Sequence, residues 1–207
     1  MTGTEIETEV VSPTQLLLNE AQQHELLVLA RQAIAHYLQH KRFLTPTPQT
    51  DDPQLQQKAG VFVTLRTRWE PTQPHDKAAR LRGCIGHVEA DEALIDVVPV
   101  MAVKAATRDP RFPPVTAVEL PKLHIEISVL SALAPVANIH EIELGLHGLV
   151  IVNELKRGLL LPQVPVMFGW TQDEYLEGIC RKADLRPNAW RSSELFTFTT
   201  QVFEEAE

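Results

Sequence analysis

The sequence has no apolar run long enough to cross a bilayer. A spanning helix needs about 20 apolar residues, and the longest candidate, Leu94 to Ala106, is interrupted by Asp96, Pro99 and Lys104. Residues 1 to 11 lack the basic segment and apolar stretch of a secretory signal, so no membrane association is expected and the cytoplasm is the expected location. Cations are in deficit: 19 Lys and Arg against 27 Asp and Glu give a formal charge of −8. Such a chain repels phosphate backbones on average, which argues against non-specific nucleic-acid binding. Only two cysteines, Cys84 and Cys180, are present. Without an export signal they are expected as two reduced thiols rather than a disulfide. There is no phosphate-binding glycine loop, no nucleophile-elbow serine and no paired-cysteine zinc motif. What remains is ordinary for a globular protein: 207 residues, 44% hydrophobic and 22% charged, enough for one large domain or two small lobes.

Residues 1–15 are polar and read as a loose leader, and 16–207 as a single domain. From Glu20 to Phe43 the residues Leu26, Leu29, Ala30, Ala33, Ile34, Tyr37 and Leu38 follow the spacing of one buried helical stripe. Asn19 and Gln22 fit an N-cap and its return partner. Thr45 to Lys58 has three prolines and no period, as in an exposed loop. Two later stretches, about 60–130 and 148–203, share the order strand, Arg-Gly strand, helix, strand. Gly60–Leu65 and Arg82-Gly83-Cys84-Ile85 precede a helix from Asp91 to Thr107 and a strand from Leu123 to Leu130. Gly148–Val152 and Arg157-Gly158-Leu159-Leu160 precede a helix from Thr171 to Ala183 and a strand from Leu195 to Phe203. Pro99 is expected to kink the first of these helices or split it. The fold class expected is α+β: two β/α repeats on a curved, barrel-like, mostly antiparallel sheet flanked by helices.

Leu81-Arg82-Gly83-Cys84-Ile85-Gly86 is the most informative stretch. Gly83 and Gly86 permit close approach of a backbone or ligand. In a regular strand Arg82 and Cys84 share a face, so Arg82 could lower the thiol pKa and hold an anion, with His87 or His147 as more distant aids. The competing reading is that Cys84 is a small packed hydrophobe; for Cys180, on a helix beside Leu176 and Ile179, packing is the better account. Arg108-Asp109-Pro110-Arg111 reads as an ordered turn whose Asp is a cap and whose Arg is in a salt bridge, or as a guanidinium site for a carboxylate or phosphate. Glu126 with His147 is a third candidate, for acid/base work. His36 and His40 lack a third ligand, so no metal site is expected.

These motifs, in order, carry a resemblance. Gly60–Leu65, the stretch 81–86, Arg108–Val115, Ile125–Leu130, His147-Gly148-Leu149, Arg157–Val164, Cys180-Arg181-Lys182-Ala183 and Trp190 together resemble the AMMECR-one domain family, named for a protein of the Alport syndrome, midface hypoplasia and elliptocytosis chromosomal region. The resemblance runs from about Glu20 to Phe203. It implies two β/α repeats on a barrel-like sheet, no established biochemical activity and no named cofactor, and it implies a shared pathway with Memo-like proteins and radical-SAM enzymes. The chain departs from the family pattern at Trp69 to Ala79, where a lengthened hairpin turn would alter the lip of a pocket. Two functions are expected from these readings. In the first, a small polar or anionic ligand occupies a cleft around residues 81–86, lined by Arg82, Cys84 and the Arg108–Arg111 turn and walled by Gly158 to Val164, with thiol chemistry as an option. In the second, the chain is a non-catalytic partner module for a Memo-like or radical-SAM enzyme.

Overall fold

A computed structural model describes residues 17–43, 52–68 and 80–206. The leader at 1–15, the first half of the proline-rich loop (45–51) and all of the lengthened turn at Trp69 to Ala79 lie outside the described residues. Helix α1, Glu20–His40, starts as its sequence dictates. The Asn19 side chain accepts from the Gln22 N–H at 3.0 Å, and the Asn19 N–H donates to Gln22 Oε1 at 2.8 Å. Helix α2, Leu94–Thr107, contains Pro99 and remains one helix. Buried neighbours Val97, Val98, Met101 and Ala102 hold it against the core despite the missing hydrogen bond. Its first free N–H groups, on Leu94 and Ile95, donate to Gln57 O and Leu55 O at 3.0 Å. In the described part of the loop before β1, Pro53, Gln54, Gln56, Gln57 and Lys58 are exposed, as expected, while Leu55 is fully buried.

The strands are β1 Val61–Thr67, β2 Leu81–His87, β3 Leu123–Leu130, β4 Ala134–Pro135, β5 Gly148–Asn153, β6 Lys156–Leu160, β7 Glu194–Phe198 and β8 Thr200–Glu204. Helices α3, Gln163–Phe168, and α4, Gln172–Lys182, lie between β6 and β7, and Thr171 and Glu174 form a capping box at the start of α4. The expected single curved, barrel-like sheet is not what forms. The described strands make two open antiparallel sheets, ordered β2-β1-β3-β8 and β4-β7-β5-β6, and no closed barrel.

The division arises where two strands change sheet. Leu195 to Phe203 reads as one strand, but β7 ends at Phe198 and β8 begins at Thr200 in the other sheet. Opposite this corner β3 passes to β4. Leu130 pairs with Thr200 and Ala134 with Thr197, so the β3–β4 side carries one residue more than the β7–β8 side. An extra residue bends a ladder. The Ser131 N–H donates to Thr199 O at 2.9 Å and the Thr199 N–H to Ser131 Oγ at 3.0 Å, fixing the corner.

Period-two alternation then sorts the side chains into layers. Val61, Val63 and Leu65 of β1 face α1 and α2, and Leu149 and Ile151 of β5 face α4. The opposite faces meet at Phe62, Leu130, Val150, Leu159, Leu161 and Phe198. From one side to the other the layers run helices, sheet, sheet, helix. Cys180 is buried in the α4 core, as expected, and both cysteines are free thiols.

Candidate functional site: a cleft between the sheets

The inter-sheet layer is filled near the bent corner and empties toward the edge strands β2 and β6. Cys84 and Gly86 lie opposite Thr64 and Phe62 of β1, so on this face β2 offers only a thiol and a hydrogen atom. Two sheets spaced for Phe and Leu cannot close over residues so small. A cleft of about 620 Å³ results, within the size range of small-molecule sites. The first sheet lends it Phe62, Cys84 and Ile85, the turn after α2 lends Asp109 to Arg111, and the far wall is Arg157 to Leu161 with Val164 and Lys182. The wall expected from Gly158 to Val164 stands opposite Cys84.

Asp109 organises the near wall. It is buried, and its Oδ2 accepts the Cys84 N–H at 2.8 Å and Arg111 Nη2 at 2.7 Å. Its Oδ1 accepts the Arg111 N–H at 3.1 Å and Nε at 3.0 Å. The Arg111 guanidinium, followed by backbone donors, holds the Asp109 carboxyl down at about 2. The turn is thus both the capped structural turn and a wall of the cleft. Burial pushes the Cys84 thiol up from its ordinary value, against a smaller opposite effect of Thr64, whose Oγ1 donates to Sγ at 3.2 Å. At neutral pH Cys84 is therefore an un-ionised thiol. We expect it to react with iodoacetamide at pH 7 more slowly than a free cysteine, with the rate climbing above pH 9. A rate at pH 7 above that of a model thiol, measured by mass spectrometry on the Cys180→Ser variant, would contradict the assignment.

Arg82 is not the partner of Cys84. Leu65 pairs with Gly83 but Arg66 with Leu81, which leaves Arg82 as the extra residue of a β-bulge and breaks the alternation that would align it with the thiol. Its Nε bonds Glu119 Oε1 at 2.9 Å and its Nη1 bonds Pro113 O at 2.8 Å, an internal ion pair that does not line the cleft. The cations that act on Cys84 are Arg111 and Arg66 instead, opposed by the Asp109 carboxylate. Glu126 sits one strand beyond Thr64, buried and paired with Arg66 at 2.8 Å. Arg108 is exposed at the end of α2, its N–H bonded to Lys104 O at 2.7 Å. His147 lies at a separate, smaller cavity, where its Nδ1 accepts the Glu143 N–H at 3.0 Å. The His87 ring is held by Asp91 at 2.6 Å and does not line the cleft. Neither of these two histidines therefore forms a Cys–His dyad with Cys84.

Gly83 and Gly86 differ in purpose. A Cβ on Gly83 would lie 2.2 Å from the Ala105 carbonyl oxygen, so this glycine admits α2 against β2. A Cβ on Gly86 would meet the Phe62 ring at 2.3 Å, so that glycine shapes the cleft. For metals, among the described residues only His87, Asp91 and Glu92 bring three ligand atoms within 4.8 Å, and both carboxylates are exposed. A second groove, of about 470 Å³ beside α1, has the Arg31–Glu205 pair in its lining and no nucleophile.

Sequence reasoning missed Arg157 and Lys182 as cleft residues. Arg157 pairs with Glu89 at 2.5 Å, joining β6 to the loop before α2. Lys182 ends α4, and its side chain makes no hydrogen bond or ion pair among the described residues. The only signal for either was its place in a motif shared with a family. No helix among the described residues is long and apolar enough to cross a membrane.

The comparisons agree with one another. The sequence model of the AMMECR1 family matches residues 27–203. A protein of Methanopyrus kandleri is 41% identical over 191 residues, 88% of this chain and 87% of its own. One from Thermococcus gammatolerans is 40% identical over 187 residues, covering 87% and 88% of the two chains. The crystal structure of an uncharacterized protein from Pyrococcus horikoshii, 36% identical, superposes with a TM-score of 0.81 over 92% of this chain and 94% of that one.

Proposed function

The chain belongs to the AMMECR1 family, and from that premise and the geometry around Cys84 we propose that it binds a small polar or anionic molecule in the cleft between its sheets. The observation that carries this reading is convergence. Cys84 and the Asp109–Arg111 turn come from the stretch 60–130, Arg157 and Lys182 from the stretch 148–203, and all four elements line one cavity. A cleft built from distant segments, with a few polar groups on apolar walls, is the usual form of a ligand site. The un-ionised thiol favours binding over nucleophilic chemistry; chemistry through Cys84 would need a ligand that draws its proton away. Native mass spectrometry of the protein purified from its own host is the test. A retained small molecule that leaves on denaturation and slows Cys84 alkylation is expected. A preparation free of small molecules, with alkylation unaffected by an extract of host metabolites, would remove the proposal.

A second reading has its own observation. Val166, Met167 and Phe168 of α3 are 63%, 56% and 63% exposed, a ridge of apolar surface of the kind that partner proteins cover. This supports the partner-module alternative, and a co-purifying enzyme of the Memo-like or radical-SAM type in place of a small ligand would favour it. The two halves are also proposed as repeats of one unit. In each, a hairpin, a helix and a strand beside the hairpin's first strand recur in the same order. Gly158 supports this too: a Cβ there would lie 2.9 Å from the Ala183 N, a close helix approach like that of Gly83 on Ala105.

A further inference from the structure

The charges of the cleft do not cancel, and the remainder narrows the ligand class. Arg111 is neutralised by a two-point contact with Asp109. Arg157 is neutralised by Glu89 at 2.5 Å. That leaves Lys182, which has no ion pair among the described residues and lines the cleft from the end of α4. One uncompensated cation at the mouth of a cleft, on a chain of net charge −8, attracts an anion where the rest of the surface repels it. A single cation matches a single negative charge; a polyphosphate would bring more charge than the cleft can balance.

The walls supply the other half of the recognition. Phe62, Ile85, Leu159, Leu161 and Val164 line the cavity, and Phe62, Leu159 and Leu161 continue into the inter-sheet core. Cys84 adds a soft, un-ionised contact beside them. A sugar or a compact oxyanion would leave these surfaces in water, whereas an apolar body covers them. Resting on the cleft reading above, the geometry points to an amphipathic monoanion of metabolite size. Its carboxylate meets Lys182 at the mouth, and its aryl or branched aliphatic body lies along Leu159, Leu161 and Phe62.

The test is calorimetric titration of the full chain with four probes: 3-phenylpropionate, 3-phenylpropionamide, acetate and inorganic phosphate. The acid is expected to bind at millimolar concentration or better, and the amide, acetate and phosphate at least tenfold more weakly. Lys182→Met is expected to weaken the acid about tenfold and leave the amide unchanged, while Lys182→Arg retains binding. Lys182 is exposed, so these variants should fold, and a melting curve checks it. Added salt should weaken the acid alone. If the amide binds as tightly as the acid, or acetate or phosphate binds as tightly as 3-phenylpropionate, the ligand class is wrong and the cleft reading survives. If no probe binds, the class is overturned. If, in addition, native mass spectrometry finds no retained small molecule, the cleft reading falls with it.

Discussion

Gly83→Ala is expected to cost roughly 3 kcal/mol or more of stability. The added Cβ would sit 2.2 Å from the Ala105 carbonyl oxygen, and that atom belongs to the backbone of α2. It can yield only if the helix shifts against β2, disturbing the packing of Val97, Met101 and Ala105 in the main core. For a chain of this size such a loss lowers the melting temperature by about 10 °C. Gly86→Ala makes a useful contrast. Its Cβ would strike the Phe62 ring, which can swing toward the cleft, so the expected loss is about 1 kcal/mol, with weaker ligand binding. Thermal and urea melts decide the matter. If Gly83→Ala melts within about 2 °C of the parent, close helix approach is not what demands glycine there.

Asp109→Asn is expected to lower stability at pH 7 and to flatten its acid limb. The Asp109 carboxyl titrates at about 2 in the folded protein, below its ordinary 3.8. Folding therefore favours the deprotonated form. The stabilisation is complete above the unfolded value, near pH 4, and is lost as the pH falls through about 2. Its size is about 2 kcal/mol. Other carboxylates are also held low, Glu119 by Arg82 and Asp184 by Lys156 among them, so total stability will still fall in acid. The difference between parent and variant isolates Asp109. Equal slopes for the two between pH 4 and 2, in urea unfolding, would show that this carboxylate contributes nothing there. Because Asp109 also accepts the Cys84 N–H, the variant should change the alkylation rate of Cys84.

Local signals were legible in the sequence wherever one segment determined its own structure. The Asn19–Gln22 cap, the stripe of α1 and the hairpin Gly148 to Leu160 follow from short-range patterns. The wall expected at Gly158 to Val164 was also readable, and Gly158 to Leu161 with Val164 line the cleft. Arg82 was misplaced because a bulge leaves no mark in its own residue types; only the pairing of Leu65 with Gly83 and Arg66 with Leu81 reveals it. The sheet switch at Thr199 was hidden for the same reason, since Leu195 to Phe203 carries neither glycine nor proline. Lys182 shows a further limit. Its residue type at a helix end suits the helix dipole, and only the packing of α4 beside β6 makes it a cleft residue.

The corner at Ser131 and Thr199 also sets an order of assembly. Everything from Ser131 to Thr199 is synthesised between the two strands β3 and β8, which then lie side by side. While the chain is being made, β3 has β1 on one flank and nothing on the other until residues 200–204 arrive. An unpaired strand edge invites wrong partners. Pairing of β4 with β7 brings Thr199 to Ser131 and delivers β8 directly to its place. The second sheet thus acts as the guide that completes the first, and a defect in its hairpin or in α4 should surface as slow maturation of the half that contains Cys84.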